Sequence, residues 1–321
     1  MPEVSLILST YREEPHLEWL TRTLWRECRH SYEWELIVVD RLWNKRDHRE
    51  DGWGLPRILT APKPTPWQGP QRHPKLEWDY FAAANARNTG VCFARGKLLV
   101  FVDDLSAVLP GWWAGVQRAL KGDYRRDEMM PGEHVKRPLV VAGAYEKVAN
   151  LAVSIDGIAS WEGLPGGGDS RWASGSDREA VPLTPGATYA CNLAVPLELL
   201  LQVNGWDECA DGVGFEDALL GLRLERAGGA LRYDRTMKIV EDAAGHFLPH
   251  NEPLPRTNRP IAGHKDLAWE MLAHSGGTQA RGNDFNLREL RAAVLKNGYS
   301  AFPTQVKPFR FPDGECAIVG L

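Results

Sequence analysis

The chain has no Cys-x-x-Cys pair, and its five cysteines (Cys28, Cys92, Cys191, Cys209 and Cys316) are odd in number and scattered. That pattern excludes a disulfide framework and reads as reduced thiols in a cytosolic protein. No apolar stretch approaches the roughly 18–20 residues needed to span a bilayer. Met1-Pro2-Glu3-Val4 runs straight into a strand, so no signal peptide is expected. A basic excess is also lacking: the formal net charge is −4, which argues against a globally basic nucleic-acid binder but leaves room for a local patch. There is no internal repeat.

What is present is an ordinary soluble composition, 43% hydrophobic and 25% charged, over 321 residues, enough for one large core or two modest ones. Val4 to Thr10 is a near-continuous apolar run of strand length, as a buried parallel strand should be. Leu17, Leu20, Leu24 and Cys28 recur at helical spacing. Glu35 to Asp40 is a second buried strand ending in an acid, and residues 57–60 form a short third. An alanine-rich helix over 82–95 is stopped by Gly96 before the strand Lys97 to Val102. This alternation predicts a mixed α/β fold with a mostly parallel sheet and right-handed crossovers. Beyond it, a strand is expected at 139–144, a loop over the site at 163–175, a strand at 187–193, and helices at 196–203 and 215–227. From about Gly263 the composition turns helical and polar, with Leu287, Leu290, Val294 and Leu295 on one face. Residues 263–321 are read as a C-terminal extension to a domain spanning 1–262, with a donor half to about 105 and an acceptor half after it.

The most informative feature is Asp103-Asp104, set at the end of the run Leu98 to Val102. A strand ending in adjacent carboxylates puts hard oxygen ligands at the carboxyl edge of the sheet, where open α/β sheets bind ligands. Two acids side by side repel, so a cation between them is the natural partner. The plainer reading is a solvated turn, since Asp also caps helices. Glu216-Asp217 opens a later helix, where the macrodipole alone would favour carboxylates. The order decides the matter: an acid after the second strand, a pair after the fourth, and Gly214-Phe215-Glu216-Asp217 at a helix head.

With those residues in view, the chain resembles the family 2 glycosyltransferases, whose catalytic domain has the GT-A fold. Val4 to Arg12 resembles that family's first strand and nucleotide-binding turn. Ile37-Val38-Val39-Asp40 is similar to its second strand, and Ala86-Arg87-Asn88-Thr89-Gly90 through Ala94-Arg95-Gly96 to its Ala-Arg-Asn-x-Gly signature. Asn204-Gly205-Trp206-Asp207 and Gly214 to Asp217 resemble the acceptor-side block. The resemblance covers residues 4 to about 250. It implies a nucleoside diphosphate sugar, most simply UDP-linked, contacted by Thr10, Tyr11, Arg12, Asp40, Arg87, Asn88 and Asp103. It also implies Mn²⁺ or Mg²⁺ on Asp103, Asp104 and His246, with His250 nearby as the alternative histidine, Asp217 as base, and Glu216 orienting a substrate. The chemistry fits, since a divalent cation offsets charge on a leaving diphosphate and an inverting displacement needs a base. Two positions depart from the pattern: Leu105 stands two after Asp103 where a third acid is usual, and Arg41 follows Asp40.

For the acceptor, residues 41–78 hold eight Lys/Arg against four Asp/Glu, interleaved with Trp43, Trp53, Trp67 and Trp78 and six prolines. Such a surface can track phosphates and stack bases, which suits a glycosyltransferase of the viral DNA-hypermodifying kind acting on hydroxymethylated pyrimidines in a host cytoplasm. The same residues could equally shape a sugar pocket for a glycan or small molecule. Nucleotidyl transfer is disfavoured by the absence of a Gly-rich phosphate loop after the first strand. A non-catalytic sugar-nucleotide-binding module is kept open by Leu105 and opposed by the retained Asp104, Glu216 and Asp217.

Overall fold

A computed structural model of the chain describes residues 1–31, 33–40, 42, 58–62 (backbone only), 83–122, 137–178, 180–208, 216–243, 278–280, 283 and 285–302. Strands β1 (Val4–Thr10) and β2 (Trp34–Asp40) are buried at every residue, as their unbroken apolar runs require. With β3 (Ile58–Pro62) and β4 (Leu98–Asp103) they form a parallel block in the order β3-β2-β1-β4. The registers Thr10 opposite Asp40 and Ser9 opposite Asp103 bring the ends of three strands into one row.

The sheet continues through β9 (Asn192–Pro196), β6 (Leu139–Ser154), β10 (Ala230–Asp242) and β5 (Ser106–Val108), giving a mixed, mostly parallel sheet. Helices α1 (Leu17–Cys28) and α3 (Trp112–Lys121) cover one face through Leu20, Leu24, Trp112 and Val116 against Leu6, Leu8, Val100 and Val102. On the other face, α2 (Ala83–Phe93), α4 (Leu197–Gln202) and α5 (Glu216–Arg226) pack on Ile7, Ile37, Leu99 and Phe101. The alternation of Leu6, Ile7 and Leu8 between the two faces is the period-2 pleat at work.

Helix α6 (Leu287–Asn297) begins at Asn286, whose side chain accepts from the Arg288 and Glu289 amides, an N-cap. Leu287 and Val294 join the same cluster as Ile7 and Phe101, so the helix packs on α2 as part of the core. Gly205 makes this contact feasible: a Cβ there would come within 2.4 Å of Asn88 Oδ1 and 2.6 Å of Leu287 Cδ2.

The expected loop at 163–175 is corrected. Residues Gly157–Gly168 form β7, which pairs antiparallel with β6 to make a hairpin, and only a short 3₁₀ turn at Trp172–Ser174 follows. Glycine here serves close backbone approach, since a Cβ on Gly167 would lie 2.2 Å from the Lys147 carbonyl. The strand expected at 187–193 starts instead at Asn192, after a turn at Pro185–Ala187, and the short β8 (Val181–Pro182) pairs with β10. Among the described residues, no helix is long and apolar enough to cross a membrane.

Candidate active site

The row of strand ends carries the site. At the end of β1, the Thr10 hydroxyl donates to Asp104 Oδ2 at 2.7 Å, and Arg12 Nε donates to Asp104 Oδ1 at 3.1 Å. The Arg12 amide donates back to Thr10 Oγ1 at 3.3 Å, and its guanidinium lies over the Tyr11 ring at 5.0 Å. Asp104 is therefore the anchor of the turn after β1, with both oxygens engaged and its side chain 8% exposed. Asp103 points the other way and is 35% exposed. Asp40 Oδ1 accepts from the Leu42 amide at 2.8 Å, a turn-closing bond of the kind Asp makes after strands.

Leu105, in the position of the missing third acid, is buried with a left-handed backbone (φ 56°). Its amide donates to the Pro15 carbonyl and its carbonyl accepts from the Asp242 amide, so it stitches β10 to the turn before α1. A side chain so placed reaches the core and not the cleft.

Arg87 is the centre of the constellation. It projects from α2, 8% exposed, and its Nη1 donates to Asp217 Oδ1 at 2.9 Å and stands 3.5 Å from Glu216 Oε1. Its Nη2 is 3.5 Å from Asp103 Oδ1. Burial opposes the Arg87 charge, but Asp217, Asp103 and Glu216 outweigh it and hold the guanidinium protonated. Asp217 accepts two more bonds, from Trp206 Nε1 at 3.2 Å and from the Ala190 amide at 2.9 Å. The helix bearing it is fixed from behind by a buried ion pair, Arg223 to Asp207 at 2.8 Å.

Negative charge is in excess here. Loss of water pushes the Asp103 carboxyl up to about 6 against the pull of Arg87, and Glu241, Asp104 and Asp217 add to the rise. Burial and then Asp217 raise Glu216 as well. Glu241 sits on β10 opposite Ser106. Cys191, one residue beyond the pair Val102–Asn192, falls opposite Asp103 and is a free thiol pushed well up by burial, then by Asp103 and Glu241.

The structure thus gathers Asp103, Asp104, Arg87, Glu216 and Asp217, with Thr10 and Arg12 tied to Asp104 and Asp40 in the same row. Asn88 goes elsewhere: its amide is exchanged with the Trp206 backbone and Glu208, a structural lock between α2 and the segment before α5. His246, the 41–78 patch apart from Leu42 and the β3 backbone, and residues 209–215 lie outside the described residues. In the sequence Trp206 stands only as part of the acceptor-side block, without a role, and neither Glu241 nor Cys191 is expected at the site. Nor is a second buried post, Arg171, which pairs with Asp169 at 2.8 Å among the rings of Tyr145, Tyr189 and Tyr233. Cys191 and Glu241 could have been found by strand register; Arg171 and Asp169 are only two residues apart, but the three tyrosines around them come from distant strands and turns.

The donor set suits a hard divalent cation in one limited way. Among the described residues, no three His, Cys, Asp or Glu side chains stand together as a metal cage. Among the described acids of the cleft, Asp103 is the most accessible, at 35% against 20% for Glu216 and Asp217, which matches the habit of Mg²⁺-type ions of resting on one or two carboxylates plus substrate phosphates.

No protein-family model matches the chain, and no curated protein sequence matches it. Solved structures do. The chain superposes on S. aureus TarS 1–349 in complex with UDP-GlcNAc with a TM-score of 0.53 at 14% identity, over 94% of this chain and 73% of that one. It also superposes on GalNAc-T7 solved with UDP, GalNAc and Mn²⁺, with a TM-score of 0.51 at 12% identity, covering 95% of this chain. The chain spans about half of that second structure, 52% of its length. At such identities the likeness establishes the fold, and the fold is GT-A.

Proposed function

We propose that this chain is a glycosyltransferase that moves a sugar from a UDP-sugar to an acceptor hydroxyl with inversion, in the cytoplasm. The observation that carries the reading is the Arg87 bridge, which joins the donor-edge carboxylate Asp103 to the acid pair Glu216-Asp217 in one cleft of a GT-A fold. The structural neighbours include complexes with UDP-GlcNAc and with UDP, GalNAc and Mn²⁺, which supports the donor class.

In this reading, the turn held by Asp104, Thr10 and Arg12 receives the nucleotide beside Asp40. Asp103 would hold Mn²⁺ or Mg²⁺ together with the diphosphate, and such an ion offsets the charge that grows on the leaving group. Arg87 adds a fixed positive charge in a dry site, where it acts more strongly than in water. The acceptor oxygen bonds to the anomeric carbon as the bond to the diphosphate breaks, and UDP departs with the electron pair. The hydroxyl proton passes to the acid pair at the head of α5. Against a binding module without activity stands the acid pair Glu216-Asp217, which Arg87 joins to the donor-edge Asp103.

Calorimetric titration with UDP-glucose, UDP-GlcNAc and UDP-GalNAc, with and without Mn²⁺, followed by NMR of the product's anomeric configuration, tests the proposal. Binding of none of them, or a retained anomeric configuration, would sink it.

A further inference from the structure

Resting on the glycosyltransferase reading, we infer that the C-terminal segment is a working part of the acceptor side: Ala280, Asn283, Phe285 and Leu287 form a clasp that aims the Trp206 indole at Asp217, with Asn204 and Asn283 as positioning residues. The clasp holds a backbone bend. Asn204 (φ 62°) and Gly205 (φ 73°) are consecutive left-handed residues. Glycine takes that shape freely and asparagine at a cost, so the bend persists because its surroundings hold it. The Asn204 side chain donates to the carbonyls of Ala280 at 3.1 Å and Phe285 at 2.9 Å, and accepts from the Leu287 amide at 2.7 Å. Its own carbonyl accepts from Asn283 Nδ2 at 2.8 Å.

The bend delivers Trp206. Asn283 Nδ2 donates also to the Trp206 carbonyl at 2.7 Å, and Asn283 Oδ1 accepts from the Glu208 amide at 2.9 Å. From α2, Asn88 Oδ1 accepts from the Trp206 amide at 3.0 Å. The indole is buried edge-on to Phe101, with ring centres 4.4 Å apart. An indole has a single N–H to give, in one direction. Here it points at Asp217 Oδ1, 3.2 Å away, while the Arg87 guanidinium lies over the ring at 5.8 Å. A turn of the backbone at 204–206 would take that N–H off Asp217 and the ring from under Arg87. The carboxylate and the cation that line the cleft would shift with it.

Apolar packing would be enough to dock the helix. Leu287 and Val294 already supply it, and such packing is non-directional. The asparagine bonds are directional, and they converge on residues 204–206. The segment expected from sequence as an appended extension thus reaches the reacting groups through Trp206, and from there through Asp217 and Arg87.

The experiment compares wild type, Asn204→Gly, Asn283→Ala and Arg288→Ala. Asn204→Gly keeps the left-handed bend and deletes only the side-chain bonds. Arg288→Ala is the control, since it removes an exposed ion pair of the same helix with Glu198. UDP release from UDP-glucose, UDP-GlcNAc and UDP-GalNAc with water as acceptor is measured for each, with donor affinity, thermal unfolding and amide hydrogen exchange. Asn204→Gly and Asn283→Ala are expected to bind donor as wild type does and to release UDP roughly 10–10²-fold more slowly at saturating donor. Exchange over 203–208 should quicken in both, and Arg288→Ala should match wild type. A clasp that served stability alone would lower the unfolding temperature and leave turnover of the folded protein unchanged, and that result overturns the assignment. A loss of turnover that merely follows donor affinity overturns it too. Where both variants fold poorly, exchange in wild type decides: 203–208 and 285–297 must open as one unit, and free exchange of 285–297 beside a protected 203–208 overturns the clasp. If the wild-type chain cleaves none of the three donors, the glycosyltransferase reading fails, while the exchange measurement still decides whether the clasp exists.

Discussion

Arg87 and Asp217 stand 130 positions apart in the chain and 2.9 Å apart in the fold. The same guanidinium reaches Asp103, so one side chain spans the donor and acceptor sides of the cleft. The planar guanidinium reaches Asp217 and Glu216 through Nη1 and Asp103 through Nη2, a spread that a single ammonium nitrogen does not have. Arg87→Lys should therefore keep the charge yet lose the bridge. Turnover is expected to fall at least tenfold, with a smaller change in donor affinity, as steady-state kinetics and titration would reveal.

Asp103 and Asp104 are adjacent but should behave differently. Asp103→Asn is expected to remove nucleotide-dependent Mn²⁺ binding while leaving the unfolding temperature nearly unchanged, because Asp103 is the accessible acid. Asp104→Asn should lower stability and UDP affinity together, because it strips the anchor from Thr10 and Arg12. Calorimetry with UDP and Mn²⁺ beside thermal unfolding separates the two; the reverse pattern would reassign the metal to Asp104.

Leu105→Asp would restore the acid that the resemblance leads one to expect. Its side chain is buried and its backbone left-handed, so the carboxylate would enter the core. The expected outcome is a loss of more than about 3 kcal/mol of stability with no gain in Mn²⁺ affinity. A gain in affinity in a stable variant would show that the position does face the metal.

Stability in acid should depend on Asp169. Burial pushes this carboxyl up, but the hydrogen bonds and charge of Arg171, with the Tyr233 hydroxyl, hold it below its ordinary value. A folded-state value below the unfolded one means that the stabilisation is present above the unfolded pKa, near 3.9, and is lost as pH falls through the folded value. Asp169→Asn should flatten this acid limb. It should also cost about 3–5 kcal/mol at neutral pH, since Arg171 would remain buried without its ion-pair partner. Denaturant unfolding between pH 2 and pH 7 checks both.

The acceptor can be probed through residues 41–78. If that stretch guides DNA, reversing Lys45 and Arg46 to Glu should weaken duplex binding and reduce the slope of log affinity against log salt by about 2. Donor affinity should not change. Salt-independent DNA binding would direct attention to a glycan or small-molecule acceptor.

The chain's own pattern determined the framework. Unbroken apolar runs can be buried only with helices on both faces, and acids closing Val39-Asp40 and Val102-Asp103 can lie only at a strand's end, so the α/β class and the site edge were legible locally. The glycines of 163–168 misled because the residue that permits a loop also permits close approach within a ladder, and only the Lys147 carbonyl opposite Gly167 tells the two apart. The same holds for the acids. Adjacent carboxylates look alike in a sequence, but Thr10 and Arg12 tie down Asp104 across 94 and 92 positions, and Arg87, Trp206 and Ala190 tie down Asp217. Which oxygens are left to meet a substrate is settled by partners that chain spacing does not record. Tertiary structure alone decided that, because a hydrogen bond depends on distance in space and not on separation along the chain.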